Sequence, residues 1–285
     1  MDVAVVGAGR VGTAMAVLLQ RAGHVIVAVA GTEATRDRAA AYLPGVPVRS
    51  NEDAARGAGV VLIGTPDAAI EPACTALAVA GAVGEGAVVA HLSGATGLEA
   101  LHAARASGAS VISVHPLQTC PDVGAAIDRI PGSTFAVSAY EEPTYLLGER
   151  LALDVGGRPF RLDDGMKALY HAAAVFASNY LVAVTALAER MERTAGVPDP
   201  LAALRPLQRA TLDNVEAMGA ADALTGPAVR GDAATVERNL RALSEHAPEA
   251  IAAYISLADV ALELAADRIE AVGRTSVEEV LARWR

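Results

Sequence analysis

Six residues near the start, Gly7-Ala-Gly-Arg-Val-Gly12, constrain the fold of this chain more than any other feature. They follow an apolar run, Val3–Val6, and lead into a helical pattern over Gly12–Ala22, after which a second apolar run begins at Val25. Each glycine has a physical task. Gly7 permits a tight turn, Gly9 lets backbone approach a pyrophosphate, and Gly12 lets the helix pack close to the strand. The helix start then offers free N–H groups and a positive dipole end to phosphates. Strand, glycine turn and helix in this order predict a dinucleotide site at Gly7, Ala8, Gly9, Arg10, Val11 and Gly12.

Further along, apolar runs keep alternating with helical patterns, as expected of a parallel α/β sheet. The strand candidates are Val3–Val6, Val25–Val29, Val60–Ile63, Val88–Leu92, Ser110–Val114, Thr134–Val137 and a last one at Pro159–Leu162. After the polar turn Asp163-Asp164-Gly165 the strand signals stop, and helical patterns run over Gly165–Thr194, Pro200–Met218, Asp232–Glu245 and Pro248–Glu270. Thr275 and Glu278 have the spacing of a capping box for a final helix. The predicted fold class is α/β: a Rossmann-like parallel sheet domain over residues 1–162, then an all-α domain over 163–285.

Composition excludes several function classes. With 53% hydrophobic and 20% charged residues, the 285-residue chain can fill a large core and is not disordered. A net charge of −10 argues against nucleic acid or an anionic membrane as partner. Cys74 and Cys120 show no CxxC spacing, so neither a disulfide framework nor a metal site is expected, and a cytoplasmic location is. With a strand read at Asp2–Val6, no leader segment is expected ahead of it. The apolar stretch Ala172–Ala188 carries Ser178, Asn179 and Thr185, and reads as a buried helix rather than a membrane span. At roughly 45 Å, the helix from Gly165 to Thr194 is too long for its own domain to cover, which predicts a homodimer through the helical halves.

The second strand ends at Ala30-Gly31-Thr32, without the acid that holds a ribose 2′-hydroxyl in NAD sites. With Thr32 at the turn and Arg36 and Arg38 close behind, against the opposing Glu33, NADP is favoured and NAD stays possible. In an open parallel sheet ligands bind beyond the carboxyl ends of the strands. Those ends carry Gly64, Thr65 and Pro66, predicted to run along the cofactor, and His91, Ser93 and His115, predicted to reach the nicotinamide or substrate. Lys167 and His171 stand one turn apart on one helix face, just after the polar turn. Asn179 lies two turns further on, where it either binds the far end of a substrate or satisfies a helix contact. Arg230, in a Gly-Pro loop, either holds a substrate carboxylate or pairs with Asp232.

On Gly7–Gly12, the Ser-Gly-Ala run at Ser93, His-Pro-Leu-Gln-Thr at His115, KALYHAAAVFASNYL from Lys167 and LTGPAVRGD from Leu224, the chain resembles a known group. It is identified as similar to the 6-phosphogluconate dehydrogenase-like superfamily of Rossmann reductases. Within that superfamily it resembles the bacterial Rossmann-like proteins with the C-terminal domain of unknown function 2520. The architecture is similar to that of ketopantoate reductase, and His-Pro at His115 is similar to prephenate dehydrogenases, whose histidine lies at the substrate. The resemblance implies an NAD(P)H-dependent oxidoreductase acting on a small carboxylate, a 2-oxo acid such as ketopantoate. Lys167 would be the catalytic acid, His171 its relay, and Ser93, His115, Asn179 and Arg230 would bind substrate. Ketopantoate reductases place Asn one and two turns after the lysine, where this chain has His171 and Val175. Prephenate dehydrogenase-like and imine reductase activities are alternatives, as is a dinucleotide sensor without turnover.

Overall fold

A computed structural model describes residues Met1 to Arg285. All seven expected strands form: β1 (Asp2–Val6), β2 (Val25–Ala30), β3 (Val60–Ile63), β4 (Val88–His91), β5 (Ser110–Pro116), β6 (Thr134–Ala139) and β7 (Arg158–Arg161). They make one seven-stranded sheet in the order β2-β1-β3-β4-β5-β6-β7. Neighbours run parallel except β5 and β6, where Pro116 lies opposite Phe135. The sheet is therefore mostly, not wholly, parallel. After β5 the chain returns along the same edge of the sheet instead of crossing over it, and that reverses β6.

The helices of this first part are α1 (Arg10–Arg21), α2 (Ala34–Tyr42), α3 (Asn51–Ala55), α4 (Ile70–Val79), α5 (His102–Ala106), α6 (Val123–Arg129) and α7 (Glu142–Asp154). Alternate residues of the strands feed two cores, one on each face of the sheet. Val3 and Val5 join Met15 and Leu19 of α1, whereas Ala4 and Val6 join Ile70 and Leu77 of α4. Each valine or leucine so buried contributes about 1.5–3 kcal/mol, which fixes the strand register: a one-residue slip would exchange the two faces. The carboxyl ends of β1 to β5 consequently share one edge, with Val6 level with Ala30 and Ile63, and Ile63 level with His91.

The remaining helices are α8 (Lys167–Val175), α9 (Leu181–Thr194), α10 (Pro200–Ala223), α11 (Ala233–His246), α12 (Ile251–Leu264) and α13 (Ala271–Trp284). By packing, the chain divides into Met1–Asn179 and Tyr180–Arg285. The sequence drew its boundary at residue 162; α8 stays with the first unit because Lys167 is bonded to residues of β5 and the loop after β4. A π-helical turn, Phe176–Tyr180, lies at the division. In the second unit, the core forms where Val236 and Leu240 of α11, Ile255 and Leu262 of α12, and Val277 and Leu281 of α13 meet.

Two expectations are corrected here. The helical run Asp164–Thr194 is long and apolar enough to cross a membrane, yet none of its most apolar window is buried within the chain. Leu187 and Met191 of α9 pack half-buried against Leu243 and Ala247, but the main core of α11, α12 and α13 takes no residue from the run. Thr275 and Glu278 make no capping box, since α13 already starts at Ala271 with Glu270 before it. By contrast, the expected helix end at Met218 coincides with a break in α10 at Gly219, where φ is +82°.

Candidate active site

The glycine turn is built as its sequence demands. Gly7 has φ +80°, and a Cβ there would come within 2.5 Å of the Thr65 side chain and 2.7 Å of its backbone nitrogen. A Cβ on Gly12 or on Gly64 would sit 2.9 Å from the Gly7 carbonyl. Three backbones thus approach as only glycines allow, at the point where the order β2-β1-β3 reverses. No side chain caps the start of α1 at Gly9, so its first N–H groups stay available to a phosphate. Gly7, Gly9, Thr32, Gly64, Thr65 and Pro66 line one groove here, and backbone bare of Cβ at these three glycines fits a dinucleotide. Arg10, exposed at the head of α1, donates to the Pro121 carbonyl at 3.1 Å, while Ala8 and Val11 complete the turn.

Beside this groove, Thr32, Glu33, Arg36, Arg49 and Ser50 surround a second depression. Arg36 lines it together with Thr32. Arg38 does not join it: its Nε donates to the Ala8 carbonyl at 2.9 Å and its Nη2 to Thr35 Oγ1, so it braces the glycine loop. Arg49 takes the place expected for Arg38. A lone parallel bridge between Val29 and Val48 brings it there, with the Arg49 amide bonded to the Val29 carbonyl. Ser50 accepts from the Asp53 amide and caps α3. The short Val46-Pro-Val48 run before a capping serine was the available signal.

At the carboxyl ends of β4 and β5 a second cluster centres on Lys167. Its side chain is 1% exposed, and its Nζ donates to the Ser93 carbonyl at 3.0 Å and to Ser113 Oγ at 2.7 Å. Asp164 sets its position: the carboxylate accepts from the Leu98 amide at 3.0 and 3.1 Å, tying the turn before α8 to the loop after β4. Burial lowers the Lys167 pKa to about 8, against the opposing pull of the Asp164 and Asp67 carboxylates.

Two histidines flank the lysine. His91 is fully buried, and its Nδ1 accepts from the Ser93 amide at 3.2 Å. Burial first and the Lys167 charge second push its pKa down to about 3, so it is neutral at ordinary pH. His115 Nδ1 lies 3.0 Å from the Tyr170 hydroxyl, and the same two causes, joined by His171, lower its pKa to about 4. Burial raises the Tyr170 phenol to about 12.

Of the other residues expected here, Ser93 contributes its carbonyl rather than its hydroxyl. The hydroxyl accepts from the Ala95 and Thr96 amides and donates to Thr96 Oγ1, closing a local turn. His171 is half-buried on α8, one turn beyond Lys167, and Asn179 is exposed in the π-helical turn. Arg230 belongs to the second unit, exposed ahead of α11, whose cap Asp232 bonds Thr235. Sequence reasoning missed Ser113, Asp164 and Tyr170. For Tyr170 a signal was present, since it follows Lys167 by one helical turn.

Residues 1–116 match the family model of the Rossmann-like domain. The N-terminal part is a Rossmann-like domain. Residues 133–260 match the model described as Domain of unknown function (DUF2520). No curated protein matches the sequence. Among solved structures, the chain is similar to a Bacteroides fragilis protein provisionally named an NADP oxidoreductase. That pair is 22% identical over 92% of this chain and 98% of the other, with a TM-score of 0.77. It is also similar to the imine reductase of Myxococcus stipitatus in complex with NADP+, at 16% identity over 100% and 99% of the two chains, TM-score 0.68. A third is the reductive aminase of Aspergillus terreus in complex with NADPH and ethyl levulinate, at 20% identity over 100% and 99%, TM-score 0.68. These likenesses show a shared fold.

Proposed function

We propose that the chain is an NADP-dependent oxidoreductase that reduces the carbonyl group of a small carboxylate compound, with 2-oxo acids such as ketopantoate as the leading class. One observation carries this reading: a buried lysine, its pKa lowered to about 8, stands at the strand ends beside a glycine cradle shaped for a dinucleotide. NADPH, when bound, supplies the hydride that adds to the carbonyl carbon. Lys167 has three N–H donors and spends two on Ser93 and Ser113, leaving one for the carbonyl oxygen. As charge develops on that oxygen, the ammonium stabilises it and gives up a proton, which a lysine of lowered pKa does near neutrality. His115 binds the substrate beside it, and His171 returns a proton to Lys167 from solvent. Asn179, further along the same helical run, is the remaining substrate contact of this reading.

Imine reduction is the second reading, favoured by full-length similarity to an imine reductase and a reductive aminase. The Lys167 charge favours the carbonyl, because a protonated imine beside an ammonium meets like-charge repulsion. Following NADPH oxidation with 2-oxo acids, ketones, cyclic imines and, in reverse, prephenate tests these readings. Turnover confined to imines would displace the first, and binding without turnover on any of them would leave a dinucleotide sensor.

The preference for NADP rests on Arg36, Arg49 and Thr32 around the second depression. Replacing Arg49 by alanine should weaken NADPH binding by about 10–100-fold, the worth of a charged hydrogen bond, and leave NADH within about twofold. Equal losses for both nucleotides in a fluorescence titration would remove Arg49 from the phosphate site.

The homodimer belongs to the same proposal. Leu181, Val182 and Val184 of α9 and Leu201, Leu207 and Leu212 of α10 are exposed, and the two helices pack on each other, which supports a second copy as their cover. Light scattering at micromolar concentration should give twice the chain mass, and a monomer there would refute the dimer.

A further inference from the structure

The hydrogen bond between His115 and Tyr170 has a direction, and that direction decides what the histidine can offer a substrate. His115 Nδ1 and the Tyr170 hydroxyl are 3.0 Å apart, and this is the one hydrogen bond either side chain makes within the chain. Both groups are neutral near pH 7, with pKa values of about 4 and about 12. Two arrangements satisfy the distance. If the imidazole donated from Nδ1, the half-buried phenol proton would have no acceptor. If the phenol donates, Nδ1 accepts and the imidazole proton lies on Nε2, where a substrate atom can take it. Each arrangement leaves one proton without an acceptor in the chain, and the stronger bond decides between them: a phenol O–H is a better donor than a neutral imidazole N–H, and an imidazole nitrogen a better acceptor than a phenol oxygen.

The surroundings hold both rings still. Tyr170 lies edge-on to His115, with centroids 5.6 Å apart and planes at 87°, and Phe160 of β7 packs against Tyr170 at 6.0 Å. On the other side His115 lies over Gly94, where a Cβ would come within 2.7 Å of Cε1 and 2.8 Å of Nε2. The imidazole therefore has little freedom to flip and exchange its nitrogens, and Nε2 is left beside the loop that carries Ser93.

We infer that Tyr170 is a positioning residue that holds His115 in the Nε2–H tautomer, so that the site presents a hydrogen-bond donor to an acceptor atom of the substrate. A carbonyl or carboxylate oxygen is such an atom; a protonated imine nitrogen is not. This assignment rests on the carbonyl reductase reading and narrows its substrate class to compounds that bring an oxygen acceptor to His115.

Nitrogen-15 correlation spectra of the full-length protein, with His115→Gln used to assign the ring, report the tautomer without any turnover. The wild type should show Nε2 protonated and Nδ1 bare. Tyr170→Phe should mix the two tautomers and lower kcat for carbonyl reduction by about 3–10-fold, the worth of one neutral hydrogen bond, with NADPH affinity unchanged. A wild-type proton on Nδ1 overturns the inference, as does a tautomer that Tyr170→Phe leaves untouched. Where Tyr170→Phe fails to fold, a wild-type proton on Nδ1 still overturns the inference. A protein with the expected tautomer that reduces no carbonyl fails the functional reading instead, so the two failures are distinguishable.

Discussion

Lys167→Ala is expected to lower kcat by about 10²–10⁴-fold, the usual worth of a positioned general acid. Affinity for NADPH should hardly change, because the glycine cradle at Gly7, Gly12 and Gly64 makes no contact with this side chain. Lys167→Arg should not restore the rate, since a guanidinium keeps the charge and holds its proton. In the wild type the rate should fall as pH rises through about 8, where the ammonium loses its proton. Steady-state kinetics on the true substrate decide the matter. Full activity in Lys167→Ala would remove the residue from the mechanism, and recovery in Lys167→Arg would make its role one of charge alone.

The other large effect is expected from Gly7→Ala, a change of one methyl group. That methyl would meet Thr65 at 2.5 and 2.7 Å, and the residue would have to keep φ +80°. The left-handed conformation alone costs about 1–2 kcal/mol, and the contact must also push β1 and β3 apart where the pyrophosphate is to lie. Binding of NADPH should weaken by at least about 100-fold, the size of a badly misplaced group at a site of this kind. Thermal unfolding should show a stability loss of about 2 kcal/mol or more. Unchanged NADPH affinity in calorimetry, with the variant folded, would place the dinucleotide elsewhere.

Much of this was legible before any coordinates. The strands could be read because each is a short run of Val, Ile and Ala between glycine or proline turns, and the sheet buries both faces. Gly7 and Gly12 could be read because a backbone pressed against another backbone admits no other residue. Lys167 stood out as a cation at the head of an apolar helix. Ser113 could not be found in this way. It matters because β5 pairs with β4 so that Ser113 lies level with His91, and register across strands is a property of the assembled sheet. Arg49 was hidden for a related reason, since a single bridge at Val48 carries it to the end of β2. The long apolar helix misled for another reason. Composition says that a face avoids water, but it does not say whether its cover comes from the same chain.

The burial of Lys167 has a consequence for the molecule as a whole. A lysine whose pKa falls from 10.5 to about 8 on folding binds its proton more weakly in the native state than in the unfolded chain. Between those two values the unfolded chain holds more protons, so this residue's contribution to stability rises with pH across that window. Below about pH 8 the charged form is kept in place at a cost of ~3 kcal/mol, partly offset by Ser93 and Ser113. Proton donation needs that same charged form. On the proposed mechanism, the residue thus costs stability under the same conditions in which it can donate a proton, and selection for robustness alone would tend to discard it.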